Sequence, residues 1–428
     1  MTLVSELELA SFDYTDPSLC GARFHEAMKE LRAEGWLASG PFGYIVLDRE
    51  SAEFFLRTRK ASFPGLKIAE IFDVKEGPLW EQFKRNILHV NGPDHTRLRS
   101  LVNPALSPRA VERYRPVMRG FLEDLLARAQ VADGARTGAA GGEPAEGGDG
   151  TLRCEFVEAF AKPYPSQTIA NVMGAPLTDA PKLHHWSNWI QRQFDAVSMA
   201  TERTGIETAV EEFYEYAEAL VEARRKDPGD DLISTLIAAA DPAHQPEKLS
   251  DVECINLVFN VLAGGVDTTQ SQLAHAVRLL AEHPKQWALL REDRELAGAA
   301  VEEALRYEPI TPFTARIANE DITFRDVTFP QGTIVMVCTF TGNRDIEGDG
   351  GDEFDIARWT GASPPARALT FGAGVHYCLG ANLAKAELGE ALTFLAERFS
   401  RLELDGEPQF ESITGIYGLA KLPVRLLV

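Results

Sequence analysis

Cys378 lies in the run FGAGVHYCLG, Phe371 to Gly380, just ahead of a segment with helical spacing. Gly372 and Gly374 let the backbone turn tightly or left-handed beside a bulky ligand. Free amide N–H groups and the positive end of a helix dipole favour a thiolate at such a position. A thiolate there is a good iron ligand, and Gly380 leaves room for a flat macrocycle. Taken alone, an intracellular cysteine is more often a small buried hydrophobe, so its surroundings decide. A second constellation is GGVDTT, Gly264 to Thr269. Thr268 follows Gly264 by four residues, so its hydroxyl can bond the Gly264 carbonyl and compete with the helix ladder. Two small residues let a helix open or bend at that point. Asp267 points to a different face, where it can relay protons from solvent. An ordinary buried helix with a threonine and a capped aspartate accounts for the same letters.

Charged pairs add to this. Glu303 and Arg306, in EEALR, are three apart on one helix face, a spacing that usually gives a surface salt bridge worth under about 1 kcal/mol. His95 and Arg99, in GPDHTRLRSLVNPAL, are spaced i, i+4 and can reach one anion together. Arg316 lies in TARIANEDI, and a planar guanidinium binds a carboxylate bidentately. Each of these cations also suits a solvated surface.

The elements that must position these groups are mostly helical. Residues 108–131 carry helically spaced apolar residues, with Pro116 a local disturbance. Ser250 and Glu253 form a capping-box pattern ahead of a run that continues to just before Pro284, a helix of roughly 50 Å. Another helix covers ELAGAAVEEALRY and is ended by Pro309, and a last one follows Gly380. DITFRDVTF and TIVMVCTF read as strands. The stretch 133–150 is rich in Gly and Ala without apolar periodicity, and reads as a flexible surface loop, with a domain linker as the rival reading. The expected fold is mainly α with a minor β subdomain, in one compact unit spanning 1–428.

FGAGVHYCLG resembles the haem-binding loop of the cytochrome P450 family, F-G-x-G-x-H-x-C-x-G. Phe371, Gly372, Gly374, His376, Cys378 and Gly380 meet every specified position. The resemblance implies a helical bundle enclosing a b-type haem (iron protoporphyrin IX), with Cys378 as axial ligand and His376 on a propionate. GGVDTT is similar to that family's oxygen-activation motif, which implies catalytic roles for Gly264, Asp267 and Thr268 in a groove admitting dioxygen and water. By the same resemblance Glu303 and Arg306 form a buried ion network with Arg358 of FDIAR, a structural role. His95, Arg99 and Arg316 then hold haem propionates. The segment GNRDIEGDGGDEFDIAR departs from the family pattern: Ile346 stands where many relatives have Pro, and Gly and Asp pad the loop.

The activity this implies is a monooxygenase inserting one oxygen atom of dioxygen into a small, largely apolar organic substrate, as in secondary metabolism. Electrons come from a separate ferredoxin and ferredoxin reductase, since the chain shows no flavin or iron–sulfur domain, so NAD(P)H acts only indirectly. Docking is expected on the Cys378 side, near Arg97, Arg109, Arg113 and Lys385. A peroxide-driven peroxygenase and a non-catalytic haem sensor or electron carrier are the alternatives, and the Asp267–Thr268 pair speaks against both. Phe63, Ile71, Phe72, Trp80, Phe313, Ile416 and Tyr417 are expected to line an apolar, partly aromatic pocket.

Composition narrows the class. A net charge of -21 argues against nucleic acid and against an anionic membrane as the main partner. No run approaches the roughly 20 apolar residues of a membrane span, and MTLVSELELASFDYTDP lacks the marks of a signal peptide. Five scattered cysteines without a CxxC pair fit neither a disulfide framework nor a zinc ribbon, which points to a reducing cytoplasm; the enzyme is expected to be a monomer.

Overall fold

The computed structural model describes residues 2–137, 150–239, 249–346, 350–361 and 365–428. Helices dominate, and the sheets are small. The largest sheet runs Leu37–Gly40, Gly43–Val46, Ile334–Cys338, Phe313–Ala318, Ala61–Ser62 in spatial order. DITFRDVTF forms a hairpin, Ile322–Phe324 against Val327–Phe329, and TIVMVCTF supplies the Ile334–Cys338 strand. Arg325 and Asp326 turn that hairpin at φ 48° and 64°. Thr151–Glu155 pairs antiparallel with Pro423–Leu427, so the chain beyond the Gly-rich stretch closes onto the C-terminus.

The capping box at Ser250 is formed: the Glu253 amide donates to Ser250 Oγ at 3.2 Å, and the Ser250 amide donates to Glu253 Oε2 at 2.8 Å. From there the long helix forms as expected but is interrupted where Gly264 and Gly265 allow it to open. It runs Asp251–Gly265, breaks at Val266 (φ −93°, ψ −69°) and resumes as Asp267–Glu282. The second half is almost wholly buried and the first is buried over most of 254–263, so this broken rod forms the molecule's axis. His283 ends it, and Pro284 opens the next helix, where a missing N–H costs nothing.

Pro116 acts the same way. The 108–131 segment divides into Pro108–Glu112 and Arg115–Thr137, with Pro116 in the first turn of the second helix. That helix runs further than expected. Asp133 to Thr137, read from the sequence as the start of a flexible loop, complete its last turn, and Asp133 Oδ2 accepts the Arg153 amide at 3.1 Å. Helix propagation from a packed stem outweighs the poor local propensity of a short Gly/Ala stretch. The remainder of that loop, 138–149, lies outside the described residues.

The main hydrophobic core packs the broken rod between Pro163–Met173, Arg203–Lys226 and the C-terminal helix Ala381–Arg398. Smaller clusters under the five-stranded sheet carry the N-terminal 50 residues onto the same body.

Candidate active site

The FGAGVHYCLG loop is shaped by two left-handed glycines, Gly372 at φ 70° and Gly374 at φ 71°. A Cβ on Gly374 would meet the Leu56 carbonyl at 2.6 Å, so that residue lets the loop press on helix Arg49–Arg57 and does not itself face the cavity. The Cys378 amide donates to the Phe371 carbonyl at 2.9 Å, and helix Ala381–Arg398 begins three residues on. Cys378, Phe371, Gly372 and Gly380 all border a cavity of about 470 Å³. A Cβ on Gly380 would meet nothing within 4 Å, which leaves the floor beside the sulfur open.

Burial raises the Cys378 thiol pKa, while the Gly380 amide, the Arg99 charge and the Ala381 amide pull it down. The helix-start effect expected from the sequence is present but is outweighed by the desolvated setting.

Across the cavity stands the break in the central rod. Thr268 Oγ1 donates to the Gly264 carbonyl at 2.5 Å, and both residues line the cavity. A Cβ on Gly264 would meet nothing within 4 Å, so it too faces open space. Asp267 turns the other way, is 7% exposed, and accepts from Asn188 Nδ2 at 3.4 Å. Its carboxyl pKa is pushed up to about 7, chiefly by burial and then by the Glu411 charge, with Asn188 opposing.

On one side of the cavity four nitrogen-bearing side chains gather. Arg99, Arg316 and His376 line it; His95 is buried behind His376, their rings 4.3 Å apart. Arg99 Nη2 donates to the Tyr377 carbonyl at 2.8 Å, Arg316 Nη1 to the Ala315 carbonyl at 2.8 Å, and His376 Nε2 meets Asn91 Oδ1 at 3.0 Å. Burial lowers Arg316 to about 10. It lowers His95 as well, aided by the Arg99 charge. Among the described residues none of the four forms an ion pair with a carboxylate.

Glu303 and Arg306 are fully buried and joined twice, at 2.7 and 2.8 Å. Arg358 Nε reaches Glu303 Oε1 at 3.4 Å. The structure adds partners that spacing could not show: Trp359 Nε1 at 2.9 Å and the Asp355 amide at 2.9 Å, both donating to Glu303. Arg306 also donates to the carbonyls of Gly351 (2.6 Å) and Glu353 (2.7 Å), which lie in the padded loop beyond Ile346.

Of the expected pocket residues, Phe63, Ile71, Phe72, Phe313 and Ile416 line the cavity. Trp80 and Tyr417 do not. Trp80 packs against the main core with Lys84 over its ring. Tyr417 is fully buried among Phe24, His275 and Phe410, where its hydroxyl accepts the Gly21 amide at 2.7 Å. No residue of helix Gly77–Arg85, which carries Trp80, lines the cavity, whereas Tyr417 turns into the core beside Ile416, which does. Phe194, within the segment 176–210 expected at the pocket, also lines it, while Tyr14, Phe42 and Asn260, which line it too, were missed altogether. No local motif marks them; only folding brings the N-terminus to the cavity's edge.

The expected basic patch is largely neutralised. Arg97 pairs with Glu253, Arg113 with Asp230 at 2.5 Å, and Lys385 with Glu302. No helix among the described residues is long and apolar enough to cross a membrane.

A helical body in which a cysteine and a threonine-bearing break in a central helix border one largely apolar cavity defines the class of haem-thiolate enzymes. The family model "Cytochrome P450" matches residues 166–427, and the chain belongs to the cytochrome P450 family. It is 31% identical over 423 residues to luteothin monooxygenase of Streptomyces thioluteus, covering 98% of this chain and 96% of that one. Nocardicin C N-oxygenase of Nocardia uniformis subsp. tsuyamanensis is 35% identical over 331 residues, 76% of this chain and 74% of that one. Among solved structures, CalO2 superposes with a TM-score of 0.84 at 29% identity, covering 98% and 99% of the two chains. P450BioI, solved in complex with an acyl carrier protein bearing hexadec-9Z-enoic acid, matches at 0.79 and 29%, covering 94% and 98%. The chain is therefore an oxidoreductase of a family that uses haem and dioxygen.

The residues present fit such a cofactor. Gly264 and Gly380 open onto free space at the cavity, and the buried Arg316 and half-buried Arg99 that line it have no carboxylate partner among the described residues. His95 Nε2 is buried with no hydrogen-bond partner, a further donor or acceptor awaiting one.

Proposed function

We propose that this chain is a haem-thiolate monooxygenase that inserts one atom of dioxygen into a small, largely apolar organic molecule. Haem b is held by Cys378, and electrons arrive from a separate ferredoxin and its reductase. We read the chain as one domain acting as a cytoplasmic monomer. The observation that carries this reading is that Cys378, Gly264 and Thr268 border the same apolar cavity, which is also lined by a buried Arg316 and a half-buried Arg99, neither of them paired with a carboxylate among the described residues.

Bound haem supplies the redox chemistry by which dioxygen is activated, and a thiolate ligand favours O–O cleavage. The chain's own residues do the rest. Arg99 and Arg316 offer planar forks to the haem carboxylates, and His95 and His376 complete that grip. Thr268 holds a hydroxyl at the open turn of the helix, anchored on Gly264, where it can present a proton towards the cavity. Asp267, at about 7, exchanges a proton readily near neutral pH and sits on the outer side of the same turn. Phe63, Phe72, Phe313 and Ile416 exclude water and select an apolar, partly aromatic substrate. Because Arg97, Arg113 and Lys385 already face carboxylates, a docking ferredoxin would compete with those internal pairs, and its binding would weaken as salt rises.

The reduced, carbon-monoxide-bound absorption spectrum tests the reading directly. A strongly red-shifted Soret band is expected, and it should disappear in Cys378→His. A band at the position of histidine-ligated haem in the native protein would overturn the assignment of Cys378. Substrate-dependent NADH consumption with supplied redox partners separates a monooxygenase from a peroxygenase or a sensor.

A further inference from the structure

The break at Val266 is held from outside its own helix. Gln191 Nε2 donates to the Ala263 carbonyl. Ser187 Oγ lies 3.4 Å from the Leu262 carbonyl and 3.5 Å from the Ala263 carbonyl, and it accepts the Asp267 amide at 3.4 Å. In an unbroken helix the Asp267 amide would bond the Ala263 carbonyl four residues back. Here a hydroxyl and an amide from another element stand between those two groups. Ser187 and Gln191 are four apart on the helix Ala180–Gln191, so one face presents both. Asn188, the residue after Ser187 in the chain, donates to the Asp267 carboxylate. Ser187 is fully buried, and Gln191 itself borders the cavity. On the opposite side Gly265 lies tight against Ile169, whose Cδ1 would stand 2.4 Å from an added Cβ.

We propose that Ser187 and Gln191 form a clamp that keeps this turn open, and that they are positioning residues for Thr268 and Asp267. The clamp rides on the helix that leads directly into Gln193 and Phe194, which wall the substrate cavity. Substrate seated against Phe194 therefore bears on the same rigid element that sets the proton-handling turn. Enclosure of substrate and readiness for proton delivery are linked through two side chains. The inference rests on the reading of Thr268 and Asp267 as the proton-handling pair.

The test compares native holoenzyme with Thr268→Ala and with the double variant Ser187→Ala, Gln191→Leu. Each is fed electrons by a ferredoxin and its reductase, with dioxygen as the probe. Peroxide released per NADH is measured, together with haem content, the carbon-monoxide spectrum and a crystal structure of the double variant. The expected result is a regular helix through Val266, with the Asp267 amide bonded to the Ala263 carbonyl. Peroxide release should rise severalfold towards that of Thr268→Ala, with haem content and spectrum unchanged. If the double variant loses haem, Gln191→Leu alone, which keeps the Ser187 bonds, serves for the same comparison. A turn that stays open, or native peroxide release while Thr268→Ala is raised, overturns the clamp and leaves the proton-handling reading standing. Unchanged peroxide release in Thr268→Ala overturns that reading, and the clamp with it.

Discussion

Thr268 spends its hydroxyl on the Gly264 carbonyl, a bond that an alanine cannot make. Thr268→Ala should therefore keep haem and substrate binding but divert electrons to peroxide, which product formed per NADH will show; undiminished coupling would remove Thr268 from the mechanism. Asp267 gives a second expectation at this scale. Its folded pKa, about 7, stands above the ordinary 3.8 because burial penalises the charge. Between those values the unfolded chain has lost the proton and the folded one keeps it, so this group's contribution falls as pH rises from about 4 to about 7. Asp267→Asn has no such slope. Its stability relative to native should improve across that window, by at most on the order of 4 kcal/mol, as read from thermal melts at several pH values. A pH-independent difference would mean that Asp267 is solvated or paired in solution.

At the scale of elements, two devices hold the site's supports. The reciprocal bonds of Ser250 and Glu253 start the central helix, and Glu253 also pairs with Arg97 of the helix that carries His95 and Arg99. Ser250→Ala should cost about 1 kcal/mol in urea unfolding, with the carbon-monoxide spectrum unchanged. The Glu303 network is a different matter, because Arg306 is 1% exposed and would be left charged in the interior. Removing one partner of a buried pair costs about 3–5 kcal/mol. Glu303→Ala should give largely insoluble or haem-free protein; a normal haem-loaded yield would show that the Gly351 and Glu353 carbonyls suffice for Arg306.

The whole molecule is tied together by a second buried carboxylate that no sequence motif marks. Glu308, 1% exposed, meets His25 Nε2 at 3.0 Å and Arg278 Nη2 at 2.7 Å. His25 belongs to helix Gly21–Glu34 and Arg278 to the second half of the central rod, so one carboxylate joins the N-terminal segment to the axis. Burial pushes its pKa up, but the hydrogen bond and charge of His25 and the charges of Arg278 and His275 win, and it lies well below the ordinary 4.5. A depressed carboxylate stabilises fully above its unfolded value and loses that contribution as pH falls below it. Native protein should therefore lose more stability than Glu308→Gln as pH falls below about 4.5 in urea titrations. Equal losses would place the acid sensitivity elsewhere.

The residues that name the chemistry were legible in the chain alone, because each is fixed by local geometry. Phe371 to Gly380 needs two left-handed glycines and a cysteine just before a helix, and a contiguous run specifies that without help from the rest of the fold. Thr268 four residues after Gly264 is likewise a one-turn relation, as is the capping box at Ser250. Folding decided whatever depends on partners distant in sequence. Gly264 and Gly265 mark from within the run where the helix can open, but the partners at the Val266 break, Ser187 and Gln191, lie about 80 residues upstream. Tyr417 lies in a pocket-bordering segment yet faces the core, since which side of a segment is inward depends on what packs against it. Asp133 to Thr137 became helix because an apolar stem was packed beneath them. The basic patch was largely neutralised once Arg97, Arg113 and Lys385 found acidic neighbours from other elements. Sequence determines the short-range geometry that makes a ligand loop or a proton relay possible; tertiary structure decides burial, and with it which charges are paired, which carboxyls keep their protons, and which side chains face the substrate.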